Sequence, residues 1–453
     1  MLIEYDLVII GATELGCRMA LRAKQLGARV ALVEQGERPE TTIAWRHWLD
    51  VDSTELVTEL STQLNAIATS DESKPLSREA LQIQGVDYLA ATGAWIEHPK
   101  AGFQVGDRLL RSSSYVATLN PNRRIPVALW GIPCGRPEDF ITREFVPDRV
   151  AIFGDAIVAV ELAMALRSRG STVALIIPTP QILPQVDPDG SIQIQILLEA
   201  SGIQVLTKTR IESVQTVGLI QRLTLDRSLH RQSVHLPQVL EVDEIILATP
   251  FERLDPNRLG LRSLSSKSLR SHRLKLVGAA NRTTPIDGLA ANCNAIALTE
   301  VQAILQPWKS MRSVSVGRLI RLPSFWIGPV PQKNHRLISI VGQTASGNLW
   351  YNLKLKSNGQ LSNATLVGEL APHLGSILSL AIQAKISLPK LLTLPLSDIV
   401  HTQVISQWIE QWEQSTRSRY PLCHELFLDW LRVRRRSVRD HDRPISGSPN
   451  SSK

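Results

Sequence analysis

Tyr5-Asp6-Leu7-Val8-Ile9-Ile10-Gly11-Ala12-Thr13-Glu14-Leu15-Gly16 reads as a buried strand running into a glycine turn. An amphipathic helix bearing Met19, Leu21 and Leu26 follows, then a second strand, Val30-Ala31-Leu32-Val33, closed by Glu34. Strand, glycine turn, helix, strand and acid make the dinucleotide-binding unit. The pattern returns in Arg149-Val150-Ala151-Ile152-Phe153, Gly154-Asp155-Ala156 and a helix from Ile157 that passes Glu161 and stops before Gly170. Thr172 to Ile177 supplies its second strand. One such unit is weak evidence, but two in one chain predict a doubly wound α/β architecture.

A chain of 453 residues has room for about three domains. With 43% hydrophobic and 20% charged residues it has the composition of a soluble globular protein. Glu4 and Asp6 stand where a secretory signal would be basic, and Asp155 and Glu161 interrupt the longest apolar stretch, so neither export nor a membrane span is expected. Cys17, Cys134, Cys293 and Cys423 lie far apart, without zinc-ligand or redox spacing, which predicts a reducing, cytoplasmic setting. Of the net charge of +8, the segment from Arg417 onward holds 9 basic and 4 acidic residues, or +5. The body is near neutral and the tail basic. No Ser/His/Asp set, metal cluster or Walker loop is present, and without a stacking or recognition pattern no nucleic-acid partner is expected.

Short strands are predicted at 85–89, 93–96 and 109–119, a helix around 54–67, and little period over 255–275. Leu274 to Gly278 reads as a strand and Leu289 to Gln306 as a helix. Alternating strands at 336–342 and 349–356 flank a turn at Asn358-Gly359, and amphipathic helices follow at 374–385 and 398–414.

This order resembles the pyridine-nucleotide disulfide oxidoreductases, in the branch of dihydrolipoamide dehydrogenase and mercuric reductase. The resemblance covers roughly residues 4–415. It is carried by Gly27 to Glu34, Gly85-Val86-Asp87-Tyr88, Leu183-Pro184 with Asp187, Gly202-Ile203-Gln204-Val205 and Ala364-Thr365-Leu366-Val367-Gly368. It implies an FAD-type domain at 1–146 and 250–322, an NAD(P)-type domain at 147–249, an α+β interface domain at 323–415 that pairs in a homodimer, and a basic tail at 416–453. It also implies that Gly11, Gly16, Glu34 and Gly278 line the FAD site, and that Gly154 and Glu161 line the NAD(P) site.

The departures from that family are systematic. A Cys-x4-Cys pair would relay electrons between flavin and substrate. The matching stretch, Thr41 to Trp48, has no cysteine, and Cys17 reads as a packed helix residue. Thr13 replaces the glycine that lets backbone approach a pyrophosphate, with Glu14 beside it. Glu34 remains, either to bond a ribose hydroxyl or as a solvent-facing acid at a strand end. Ala279 stands where an acid would bond the flavin's ribityl chain. In the second unit Ala156 replaces the middle glycine, and Ile177 and Pro178 offer a ribose neither acid nor base. Glu161 matches the family's acid, though a structural role on the helix face explains it as well. Leu119 and Pro250 end two strands where the family has glycine. Thr393 to Asp398 lacks the imidazole of the family's His/Glu acid–base pair, leaving Asp398 as a helix N-cap or first-turn acid.

These losses together imply a catalytically degenerate binding, regulatory or assembly protein, with FAD weak or lost and NAD(P) doubtful. The alternative is an FAD- and NAD(P)H-dependent oxidoreductase that passes electrons from flavin to an acceptor such as a quinone, chemistry that needs no dithiol. In the tail, Phe427, Trp430 and Leu431 share a helical face next to Arg432, Arg434, Arg435, Arg436 and Arg439. That combination suits an anionic membrane surface, or else a C-terminal helix packed on its own dimer.

Overall fold

The computed structural model describes residues 4–37, 76–97, 101–143, 145–226, 238–281, 293–308, 318–320, 325–328, 337–344, 346–393, 399–419, 425–426 and 428–434. The expected helix at 54–67 lies outside them. The chain forms two compact units, residues 1–328 with 365–375 and residues 329–364 with 376–453.

In the first unit, β1 (Leu7–Ile10), α1 (Glu14–Gln25) and β2 (Val30–Val33) open a five-stranded sheet. α2 (Arg78–Ile83) leads to β3 (Asp87–Leu89), and β4 (Gly93–Ile96), β5 (Gly102–Val105) and β6 (Arg108–Leu110) make a small antiparallel sheet. β7 (Tyr115–Ala117) returns beside β1. The expected single strand over 109–119 is therefore two, parted by a turn at Ser112 to Ser114. There the Ser112 hydroxyl donates to the Ser114 carbonyl, which closes the chain on itself.

A second sheet is built from β8 (Arg149–Phe153), α3 (Ile157–Ser168), β9 (Thr172–Ile176), α4 (Pro188–Ala200) and β10 (Gln204–Leu206). β11 (Arg210–Val217), β12 (Ile220–Asp226) and β13 (Gln238–Val242) form an antiparallel layer, and β14 (Glu244–Leu247) re-enters the parallel sheet beside β8. β13 and β14 are parted at Asp243, whose carboxylate accepts from Arg149 at 2.6 Å and so pins the crossing between sheets. α5 (Ser266–Ser271) fills part of the segment without sequence period, β15 (Leu274–Leu276) completes the first sheet, and α6 (Cys293–Leu305) follows.

The strand orders are β15-β7-β1-β2-β3 and β10-β9-β8-β14, all pairings parallel. Leu7 to Ile10 and Val30 to Val33 are wholly buried, as strands covered on both faces must be. One face packs on α1 and α6 through Leu15, Met19, Ala297 and Val301. The other packs on the small sheet through Trp95 and Phe103. Tyr5 donates to Asp87, and Arg108 donates to both, tying the N-terminal strand to β3 and β6. Burial first, then the bond to Asp87, pushes the Tyr5 phenol up to about 12. β16 (Arg318–Ile320) pairs with β17 (Phe325–Ile327), which runs antiparallel to residues 365–367.

In the second unit, β18 (Ile338–Gln343) and β19 (Trp350–Leu355) form a hairpin; β20 (Leu361–Val367) and α7 (Ala371–Gln383) are divided between the two units, and α8 (Leu388–Leu391) and α9 (Ile399–Arg419) belong to the second. Its core centres on Trp408, edge-on to Tyr351 at 5.4 Å, while the Tyr351 hydroxyl donates to Gln411. Leu374, Leu378, Val404, Ile405 and Trp408 are all buried within the single chain. The apolar faces of these amphipathic helices are thus covered by the chain itself. Among the described residues, Leu380, Leu392 and Val400 are large apolar side chains still exposed there.

Candidate nucleotide sites

A parallel sheet collects its ligand groups at the carboxyl ends of its strands, where the loops leave for the helices. The structure brings Gly11, Gly16, Glu34 and Gly278 together there, around the start of α1. Gly11 has φ +111°, and a Cβ on it would lie 3.1 Å from the Leu119 nitrogen. A Cβ on Gly16 would fall 2.1 Å from the Gly11 carbonyl oxygen, so only glycine lets α1 close on this turn. Gly278, at φ +69°, opens a short turn over Leu15.

Thr13 does not crowd this turn from outside, as its sequence position suggests. It is 7% exposed and folded inward. Its hydroxyl accepts the Gly16 N–H at 3.2 Å and donates to the Thr118 carbonyl at 3.2 Å. It thereby acts as the N-cap of α1 and uses a donor that a dinucleotide phosphate would otherwise take. Glu14 is buried too and pairs with Arg18 at 2.8 Å, one turn along the helix. Leu119 is fully buried under Gly11, and Ala279 offers no acceptor.

The end of β2 beside this turn is equally occupied by the chain's own bonds. Gln35, in a left-handed turn at φ 52°, accepts the Gly93 N–H at 2.7 Å and donates to the carbonyls of Gly93 at 2.8 Å and Arg258 at 2.7 Å. Glu37 accepts from the Asn120 backbone at 3.0 Å and pairs with Arg258 at 3.1 Å. No motif marks Gln35 or Glu37, since their partners lie far away in sequence. Glu34 keeps its place at the end of β2, and its carboxylate makes no bond among the described residues. The donor set fits FAD poorly: one helix-end N–H is capped and the ribityl acid is missing.

The second unit is built differently. Gly154 has φ +146°, and a Cβ there would meet the Ala248 carbonyl oxygen at 2.3 Å and the Thr249 nitrogen at 2.6 Å. Ala156 is the N-cap of α3 and offers no side-chain bond, so the first-turn N–H groups are not capped as those of α1 are. Asp155 accepts from the Thr179 hydroxyl at 3.2 Å, beside the end of β9. Glu161 is buried on α3, which matches its structural reading as well as its family position. A cradle that a Cβ would fill and an open helix end fit a dinucleotide better than the first site does.

Cysteine chemistry finds little support. Cys17 and Cys293 are buried, and burial first, then Glu244, pushes the Cys134 thiol up to about 11, which leaves it protonated at neutral pH. Thr41 to Trp48, Leu394 to Asp398 and Cys423 lie outside the described residues. Among the described residues no His, Cys, Asp and Glu group could hold a metal, and no helix is long and apolar enough to cross a membrane.

Two successive parallel sheets, each with a glycine turn, define a fold of two dinucleotide-type units. The model of the pyridine nucleotide-disulphide oxidoreductase family matches residues 149–227. The chain is 24% identical over 272 residues to a mercuric reductase of Staphylococcus aureus, covering 54% of this chain and 48% of that one. It is likewise 24% identical over 274 residues to a dihydrolipoyl dehydrogenase of Mycobacterium bovis, covering 52% and 57%. The matches span about half the length of these relatives. In fold it is similar to the HOCl-induced flavoprotein disulfide reductase RclA of Escherichia coli, with a TM-score of 0.68, 15% identity, and 89% and 99% of the two chains covered. LpdA of Mycobacterium tuberculosis gives a TM-score of 0.69 at 15% identity, over 90% and 99%.

Proposed function

We propose that this is a reductase-derived binding or regulatory protein whose flavin site has been closed by its own side chains. The observation that carries this reading is Thr13, which bridges the Gly16 N–H and the Thr118 carbonyl across the first glycine turn. Capping of this kind stabilises the helix by about 1 kcal/mol without any ligand. The fold then keeps its strand–turn–helix geometry while giving up a donor that flavin would need. The domain division we propose is FAD-type at 1–146 and 250–322, NAD(P)-type at 147–249, interface at 323–415 and tail at 416–453. The visible absorption spectrum of the purified chain is the test. A second reading, a flavin oxidoreductase with a non-disulfide acceptor, is favoured by Glu34, whose carboxylate is still available at the end of β2, and by the open second unit.

We also assign this protein a homodimer. Leu380 and Val400 are exposed apolar groups in the segment that the resembled family pairs. Light scattering is expected to give about twice the 50.2 kDa chain mass, and a monomer at micromolar concentration would refute it.

The tail is the proposed attachment element. Leu426, Leu428, Trp430 and Val433 are all exposed, and the Arg434 guanidinium lies 5.3 Å over the Trp430 ring. Apolar groups beside arginines suit an anionic lipid surface, at about 1 kcal/mol per basic residue. Full-length protein is expected to float with anionic vesicles at low salt, and a chain ending at Gln414 to stay behind. Equal behaviour of the two would remove the membrane from the proposal.

A further inference from the structure

The end of β9 shows no charge in the sequence, since Ile177 and Pro178 occupy it, but the tertiary structure brings a cation to it from the next strand. β10 runs parallel to β9 with Leu206 level with Ile176, so Lys208 comes level with Pro178. The contact is held by backbone bonds. Ile177 donates to the Leu206 carbonyl at 2.9 Å, Thr209 to the Ile177 carbonyl at 3.1 Å, and Lys208 to the Thr179 carbonyl at 3.0 Å. Lys208 turns there in a left-handed conformation, φ 51°, which a lysine rarely adopts. It is half-buried, and its ammonium makes no bond or ion pair among the described residues.

This is the edge on which the adenosine ribose of a dinucleotide rests in a doubly wound unit. An acid there bonds the free 2′-hydroxyl, and a base accommodates a 2′-phosphate. Two side chains compete for the role. Asp155 reaches the same edge from the glycine turn and accepts from Thr179 at 3.2 Å, which would favour an unphosphorylated ribose. Lys208 would favour a phosphorylated one. Arg210, two residues on, stands opposite Asp226 in the β11–β12 ladder. The Asp155 carboxylate already has a hydroxyl partner, whereas the Lys208 ammonium has none. A phosphate carrying close to two charges gains more from an unmatched cation than a hydroxyl gains from a carboxylate already engaged.

We propose that Lys208 makes the second unit selective for the 2′-phosphorylated dinucleotide, NADPH or its oxidised form, over NADH. The selectivity is independent of the flavin reading, which the absorption spectrum tests separately. Calorimetric titration of the full-length protein with NADPH and with NADH gives the two affinities directly. NADPH is expected to bind about tenfold more tightly, the gain of one charge-assisted contact. Added salt should weaken NADPH more than NADH. Lys208→Gln should lower NADPH to the level of NADH while leaving NADH unchanged, and Lys208→Arg should keep the preference. Unchanged thermal melting of both variants shows that they are folded. A preference below about threefold, one that survives Lys208→Gln, or no heat from either nucleotide at about 1 mM overturns the assignment.

Discussion

The purified full-length protein is expected to be colourless, with flavin well below one per chain. The reason lies in how the first glycine turn is satisfied. A dinucleotide phosphate binds a helix start through free N–H groups and the positive end of the helix dipole. Here the Gly16 N–H is already given to Thr13, the Glu14 carboxylate sits in the first turn, and Ala279 replaces the ribityl acceptor. Thr13→Gly with Ala279→Asp should raise flavin occupancy, because the turn at Gly11, the seat of Gly278 and the Glu34 carboxylate all remain. The cap itself is a small loss, since glycine costs only a few tenths of a kcal/mol at an N-cap. Without the Cys-x4-Cys pair, dihydrolipoamide, glutathione and mercuric ion should all give turnover far below the usual range of about 1–10³ per second with either nicotinamide nucleotide. A wild-type preparation already yellow, with near one flavin per chain, would reverse the order of the two readings and make the oxidoreductase the leading one.

Gly154→Ala is expected to be among the most damaging single changes in the chain. At φ +146° an L side chain is strained wherever it points, and the added Cβ would lie 2.3 Å from a backbone oxygen that has no freedom to move aside. That oxygen belongs to Ala248, whose N–H is bonded to Phe153 at the end of β8. The sheet must open or the turn must unwind. Strain of about 1–3 kcal/mol adds to that displacement, for a loss of about 4 kcal/mol in all, a large part of a domain's stability of about 5–15 kcal/mol. Gly170→Ala in the same unit is the control. Its φ is +94° with nothing within 4 Å, so only the backbone strain of about 1–2 kcal/mol should be lost. Urea unfolding of the two variants measures the difference. Equal midpoints would mean that the Gly154 turn can relax, and that the close approach does not hold β8 to the loop after β14.

The two nucleotide-type folds are legible in the sequence because each depends on local features. A buried parallel strand must be apolar throughout, a turn at positive φ selects glycine, and the helix that follows shows its period. Leu7 to Ile10, Gly11, Gly154 and Val30 to Val33 announce themselves in this way. The absence of a Cys-x4-Cys spacing is a matter of residue identity alone. The break within 109–119 is hidden because a turn between two apolar strands leaves no change of period. The amphipathic pattern of the C-terminal helices says which face is apolar and not what covers it.

What the side chains at the sites do was decided only by tertiary structure. Thr13 reads in sequence as an obstacle to a phosphate, and in the fold it is a cap that bonds to Thr118, 105 residues away. Gln35, Glu37 and Arg258 lock the end of β2 through partners spread over 223 residues of chain. Lys208 reaches the end of β9 because parallel strands bring distant residues level. Hydrogen bonds and charges act through space within a few ångströms, and the spacing of residues along a chain carries that information only inside a single helix or turn.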